Sequence, residues 1–97
     1  MRFALAPSAT RLETVGRHLI VFDEASWDTH VLNAAAGAML LSIAEAPRTV
    51  DELTALLEEL LRESERPQAG AHARATLDQL HALGLIAPAG SPPGSRP

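Results

Sequence analysis

The sequence predicts an α+β domain in which a small antiparallel sheet lies beside a three-helix unit. Short runs of strand-forming residues, separated by tight turns, occupy positions 11–32. Asn33 follows the last run directly and can cap a helix in the Ala-rich segment behind it. Two more helical segments follow, so strands come first and helices second.

Three strands with short connections are expected to form an antiparallel meander. Gly16-Arg17 makes the first tight turn, and Asp23, Glu24 and Ser26 make a polar second turn. The strands are placed at Arg11–Val15, His18–Phe22 and Thr29–Leu32, with Phe3–Leu5 as a fourth, irregular strand.

Helix one is expected over about Ala34–Ala46, since Ala36, Leu40 and Ile43 recur at helical spacing. Gly37 costs about 1 kcal/mol relative to Ala inside a helix, which indicates that it permits close packing. Pro47 then ends the helix by forcing the residue before it out of the α region.

Helix two begins with a capping box in which Thr49 and Glu52 satisfy each other's backbone N–H groups. A loop is expected at Arg66–Gly70 and helix three at about Ala71–Leu83, ended by Gly84. The apolar face of helix two comprises Val50, Leu53, Leu56, Leu57, Leu60 and Leu61, and that of helix three Ala73, Leu77 and Leu80. Leu85 and Ile86 are expected to fold back on the core. Residues 1–88 thus form one domain, and residues 89–97, rich in Pro and Gly, are expected to be a disordered tail.

Composition excludes several classes of function. The chain has 97 residues and no cysteine, so disulfides, thiolate zinc sites and thiol catalysis are excluded. Its net charge is −4 and all eight basic residues are Arg, without the basic stripe of a nucleic-acid binder. No apolar run approaches the roughly 18–20 residues of a membrane span, and Pro7 interrupts the N-terminal apolar patch. A soluble, cytoplasmic protein is expected.

No residue pattern indicates catalysis. His18, His30, His72 and His81 do not pair at the i,i+3 or i,i+4 spacing of helical metal ligands. The acidic turn after the second strand lacks the ligand alternation of a calcium loop. There is also no Gly-rich phosphate loop and no GxSxG motif. Neither a metal nor another cofactor is expected, and the chain is not expected to be an enzyme.

The end of the meander is the candidate functional region, because an edge strand with no later strand beside it can bind a peptide. Trp27, the single Trp, either closes one end of the core or lines such a peptide groove. If Leu32 points inward, His30 shares its face and is partly buried, with Thr29 and Val31 on the other face.

Helix three offers two interpretations of its polar residues. Arg74, Asp78 and His81 form either a plain surface face with an Arg74–Asp78 ion pair, or the wall of a groove beside the third strand.

The segments DTHVLNAAAGAMLLSIAEAPRTVDELTALL and LDQLHALGLI resemble the PqqD-like family of peptide chaperones, also called RiPP recognition elements. The resemblance covers about Phe3–Ala87. Within the family, it is strongest to the subset found with an HPr-kinase-related protein, which carries a similar DTH-hydrophobic-Leu-Asn/Asp segment.

This resemblance implies a winged-helix-like fold and a non-catalytic function. Members bind the leader segment of a ribosomally synthesised precursor peptide as a strand added to the third strand, packed on the third helix. They then present it to a separate maturation enzyme, for which an HPr-kinase-related protein is a candidate here. The peptide-binding residues expected in this chain are Trp27, Asp28, Thr29, His30, Val31, Leu32, Arg74, Leu77, Asp78 and His81.

Two other functions compete with this hypothesis. The same order of elements suits a winged-helix DNA-binding regulator, although helix three holds only Arg74 as a fixed positive charge. Alternatively, the chain is a structural subunit whose apolar edge dimerises or docks on an enzyme.

Overall fold

Two three-stranded antiparallel sheets and three α-helices form the fold in the computed structural model, which describes residues 2–89. The helices are α1 (Ala34–Glu45), α2 (Val50–Leu60) and α3 (Ala69–Ala82), with a 3₁₀ segment at Glu63–Gln68. The strands are β1 (Arg2–Leu5), β2 (Ala9–Val15), β3 (His18–Asp23), β4 (Asp28–Leu32), β5 (Arg48–Thr49) and β6 (Ile86–Ala89).

The predicted meander is confirmed as the sheet β2–β3–β4. A two-residue turn at Gly16-Arg17 joins β2 to β3, and Gly16 adopts the positive φ of +62° that this turn needs. A four-residue turn then leads into β4, whose pairing with β3 runs without interruption from Leu19↔Leu32 to Asp23↔Asp28.

The second sheet, with the order β5–β1–β6, was not predicted. The segment Phe3–Leu5, expected beside the meander, instead pairs through β1 with β6, from Arg2↔Ala89 to Leu5↔Ile86. β6 was not predicted because it contains Pro88, and proline cannot donate a hydrogen bond to a neighbouring strand. Proline is tolerated here because β6 lies at the edge of its sheet.

The core lies between the inner face of the meander and the three helices. Gly37 is confirmed as a close-packing position: a Cβ added there would lie 2.9 Å from Leu19 Cβ, so α1 could not sit as closely on β3. The largest fully buried side chains are Leu19, Val21, Met39, Leu40, Ile43, Leu53, Leu57, Leu80 and Leu85.

The helix caps follow the sequence signals. Asn33 Oδ1 accepts a hydrogen bond from Ala36 N at 2.9 Å. The capping box of α2 is complete, since Thr49 Oγ1 accepts from Glu52 N at 3.1 Å and Glu52 Oε1 accepts from Thr49 N at 2.8 Å. Gly84 ends α3 with φ +78°, as its position predicted.

Three details differ from expectation. α3 starts at Ala69, two residues early, because the chain forms a 3₁₀ segment across Pro67 where a loop was expected. Leu60, the last residue of α2, is 55% exposed, although the helical period groups it with the fully buried Leu53 and Leu57. Ala89 is the last residue of β6, and the remainder of the expected tail lies outside the described residues.

None of the helices in residues 2–89 is both long enough and apolar enough to cross a membrane.

Candidate functional site

The candidate site begins at β4, one edge of the meander. Across residues 2–89, β4 pairs with β3 on one side and with no strand on the other. The side chains of β4 alternate between its two faces. His30 and Leu32 are shielded, whereas Thr29 and Val31 are exposed, with Val31 64% exposed. The predicted split of these side chains between the two faces is therefore confirmed.

The direction of the backbone groups on β4 follows from the register. The Gly16-Arg17 turn closes on the pair Val15↔His18, which in a two-residue hairpin is a hydrogen-bonded pair. Hydrogen-bonded pairs alternate, so residues 18, 20 and 22 of β3 bond to β2, and residues 19, 21 and 23 bond to β4. We infer that Thr29 and Val31, which face residues 22 and 20, direct their N–H and C=O groups to the open side.

Trp27 stands at the start of this edge in an unusual conformation. Its φ is +62°, a left-handed value that costs a non-glycine residue about 1 kcal/mol or more. Its N–H donates to the Asp23 carbonyl oxygen at 2.8 Å. The indole is 74% exposed and meets the Phe22 ring edge-to-face, with centroids 5.9 Å apart. The interpretation of Trp27 as a lid on the core is therefore wrong.

The Asp23 carboxylate organises the turn that carries Trp27. Its Oδ1 accepts a hydrogen bond from Ala25 N at 2.9 Å. Desolvation acts to raise the pKa of this carboxyl, but hydrogen bonds from the Ala25 backbone, Ser8 and Ser26 outweigh it and hold the pKa below its ordinary value. The ionised form is therefore the one that the turn favours.

The two faces of β4 offer different chemistry. The outer face, which we call the Trp27 shelf, consists of Phe22, Trp27, Thr29 and Val31 and is largely apolar. On the inner face, His30 lies beside Leu32, and its Nε2 atom is buried without a hydrogen-bond partner among the described residues. An unpaired buried nitrogen is costly, which marks this position as unusual for a purely structural histidine.

The second predicted wall lies on α3. Leu77 is buried, whereas Arg74, Asp78 and His81 are exposed on the same stripe. Across residues 2–89 no ion pair joins Arg74 to Asp78, so the surface-pair interpretation is wrong on that point.

The structure does not pack the two predicted walls closely against each other. α3 packs chiefly against α2, the 3₁₀ segment and β6, while β4 packs chiefly against β3 and α1. Leu32 and Leu77 nevertheless belong to one buried cluster, so the inner face of β4 and the buried side of α3 share a core.

Metal-binding geometry is absent from the part of the chain that the structure describes: no three or more His, Asp or Glu side chains gather there in a suitable group.

Comparison with known proteins places these features in context. A solved structure of similar fold is "TbiB1 in Complex with the TbiA(beta) Leader Peptide", with a TM-score of 0.69 and 14% sequence identity. The match covers 90% of this chain and 99% of that one. Among curated proteins, none matches this sequence.

The family assignment comes from the sequence itself. The family described as "Coenzyme PQQ synthesis protein D (PqqD)" matches residues 18–86, which run from the start of β3 to the start of β6. This segment contains β4 and α3, and it is well over half of the chain. The chain therefore belongs to the PqqD family.

Proposed function

We propose that this protein binds the leader segment of a ribosomally synthesised precursor peptide as an extra strand on β4. The observation that carries the proposal is the edge position of β4, beside which no strand of residues 2–89 lies on the side that the backbone groups of Thr29 and Val31 are inferred to face. TbiB1, whose fold this chain shares, is described in complex with a leader peptide, which supports the same class of ligand here.

An added strand would be held from both faces, because its side chains alternate. Those on the outer face would lie next to Thr29 and Val31 and could reach the indole of Trp27. Those on the inner face would lie next to His30 and Leu32. Main-chain hydrogen bonds would supply affinity, and the two side-chain environments would supply sequence preference.

The exposed stripe of α3 would form the far wall of the site. Arg74, Asp78 and His81 present charge and hydrogen-bonding groups at the surface, while Leu77 anchors that stripe to the core. Arg74 would favour a leader with acidic residues, since charges at the rim of an interface contribute to recognition and to association rate.

The protein's role would be to hold the peptide and present it to a separate modifying enzyme, without chemistry of its own. An HPr-kinase-related protein is the candidate partner, because the DTH-hydrophobic-Leu-Asn segment of β4 is similar to that subset of the family. Micromolar affinity, about −8 kcal/mol, is within reach of one added strand with a few apolar anchors.

The test is a binding map with the leader peptide encoded beside this chain. In ¹⁵N-labelled protein, the amide shifts induced by the leader should cluster at 28–32 and at 74–81, and a scrambled leader should induce none. Shifts centred on α2 would place the ligand on another face. A purified protein that alone modifies the precursor would overturn the non-catalytic part of the proposal.

A further inference from the structure

A second surface, separate from the β4 edge, lies between the β2–β3 turn and the exposed face of α1. One cavity of about 220 Å³ is lined by this turn and by Ala34, Ala38 and Leu41. A second, of about 390 Å³, continues to the end of α2, where Leu60 and Leu61 line it. Because Arg17, Ala34 and Ala38 line both, the two form one continuous groove, which we call the α1 groove.

The walls of the α1 groove are unusually apolar for a solvent-facing surface. Leu60 is 55% exposed and Leu41 40% exposed, and both line the groove. The helical period of α2 places Leu60 with the buried leucines, yet residues 2–89 leave more than half of it exposed. Exposed leucines gathered around a concavity, rather than scattered, are typical of an interaction site.

The α1 groove carries a positive charge, whereas the chain as a whole has a net negative charge. Asp and Glu outnumber Lys and Arg by 12 to 8 in the whole sequence, but none of the described residues that line the two cavities is acidic. Arg17 stands where the two cavities meet and forms no ion pair with another residue of the described range. Within residues 2–89, the groove thus combines apolar walls with an arginine that has no acidic partner.

We propose that the α1 groove binds a short amphipathic helix of a partner protein, whose apolar side chains fill the groove while a flanking carboxylate pairs with Arg17. The charge complementarity selects an acidic partner. The stripe of α1 that lines the groove, Ala34, Ala38 and Leu41, has the i, i+4, i+7 spacing of a helical face, and it is about 10 Å long, or two turns of a docked helix. The small alanines allow the two helices to approach closely.

This site does not depend on leader binding at β4. A protein with both sites would hold the peptide on one surface and the partner on another, so that neither has to leave for the other to bind.

The probe is a pair of fluorescein-labelled peptides of about 16 residues, long enough to form helix. Both carry Leu at i, i+4 and i+7; one has Glu beside this stripe and its twin has Lys there. Fluorescence anisotropy should show that the wild-type protein binds the Glu peptide about tenfold more tightly than the Lys peptide. Arg17→Glu should reverse this preference. Arg11→Glu, the same change on β2 outside the groove, should leave it intact, and Leu60→Ser should weaken both peptides about tenfold.

Several results would overturn the proposal: no binding of either peptide, equal binding of the two, or an unchanged preference in Arg17→Glu. Concentration-dependent dimerisation that Leu60→Ser abolishes would show that a second copy of the chain occupies the groove instead. If circular dichroism shows that Arg17→Glu does not fold, Arg17→Gln replaces it and should equalise the two peptides. Leader affinity should be unchanged in Arg17→Glu and Leu60→Ser, so failure of the groove and failure of the β4 site are distinguishable.

Discussion

The two edges of the meander differ in how readily another strand could pair with them. On β2 the register shifts between Ala9 and Arg11, and the strand carries charged side chains at Arg11 and Glu13. Bulges and charges are devices that protect an edge from pairing. On β4 the register is continuous, and the only Asp, Glu or Arg of the strand is Asp28 at its start; the residues whose backbone groups face outward, Thr29 and Val31, are both β-branched. β2 is thus the protected edge of the sheet, and we propose that β4 is the receptive edge, the one to which a strand can be added.

The two turns of the meander also differ, in the backbone strain that each one carries. Gly16 and Trp27 both adopt φ +62°, but only glycine does so without strain. A tryptophan that is both strained and 74% exposed is not placed as a core residue, which supports the proposal that Trp27 contacts the leader. β4 thus begins directly after the turn that holds Trp27 in its strained conformation.

The largest expected effect comes from blocking one edge at a time. Val31→Pro removes an outward N–H from β4 and should lower leader affinity by roughly a hundredfold or more, about 2.7 kcal/mol. Thr14→Pro removes the equivalent outward N–H from β2 and should leave leader affinity within about threefold of wild type. Isothermal titration calorimetry gives both values, and circular dichroism checks the fold. Equal losses in the two variants would contradict the distinction between the edges.

The next effect concerns the two turns. Trp27→Gly should weaken leader binding by roughly 10–30-fold, since a Trp at an interface often contributes about 1–2 kcal/mol. Its free energy of unfolding should stay constant or rise, because glycine accepts φ +62° freely. Gly16→Ala should do the opposite: it should lose about 1 kcal/mol of stability, from backbone strain alone, and keep its affinity. Urea denaturation separates the two outcomes; a large loss of stability in Trp27→Gly would mean that the indole is structural.

A smaller effect is expected on α3. Arg74→Glu should weaken an acidic leader about fivefold, because the reversed charge repels it, and the effect should shrink at high salt. Stability should change by less than about 0.5 kcal/mol, since the side chain is exposed. Arg62→Glu, an exposed charge reversal beyond α2, is the matched control and should bind like wild type. If both variants bind alike, α3 is not the second wall.

The smallest effect is a pH dependence of the β3–β4 turn. The pKa of Asp23 is lowered in the folded protein, so its carboxylate stabilises the fold above its ordinary pKa of about 4. That contribution is lost as the pH falls through the lower, folded-state pKa. Trp27 fluorescence should therefore change on acidification below about pH 4, and Asp23→Ala should remove this step. A step of unchanged size in Asp23→Ala would assign it to another group.

Local signals explain why much of the fold was predictable from sequence. The meander turns, the Asn33 cap, the Thr49–Glu52 box and the Gly84 stop each depend on residues close in sequence, and each is present in the structure. The alternation of His30 and Leu32 against Thr29 and Val31 likewise followed from strand geometry once Leu32 was assumed to point inward.

Features that depend on distant contacts were not predictable. β1 and β6 are only four residues long, and the residues that pair are more than eighty positions apart in the sequence. Pro88 also made a strand at β6 difficult to predict. The exposure of Leu60 is not revealed by the periodicity of α2, which groups this residue with the buried Leu53 and Leu57. The strained φ of Trp27 also has no sequence signal, because glycine or asparagine would be expected there. The α1 groove joins three elements far apart in sequence, so only the folded chain reveals it.

Amide hydrogen exchange with and without the leader peptide tests the receptive edge most directly. The backbone N–H groups of Thr29 and Val31 should exchange rapidly in the free protein, because they face solvent, and slow markedly when the leader binds. The equivalent outward amides of β2, those of Leu12 and Thr14, should exchange at the same rate in both states. Protection that appears on β2 instead, or leader binding with no protection of Thr29 and Val31, would contradict strand addition at β4.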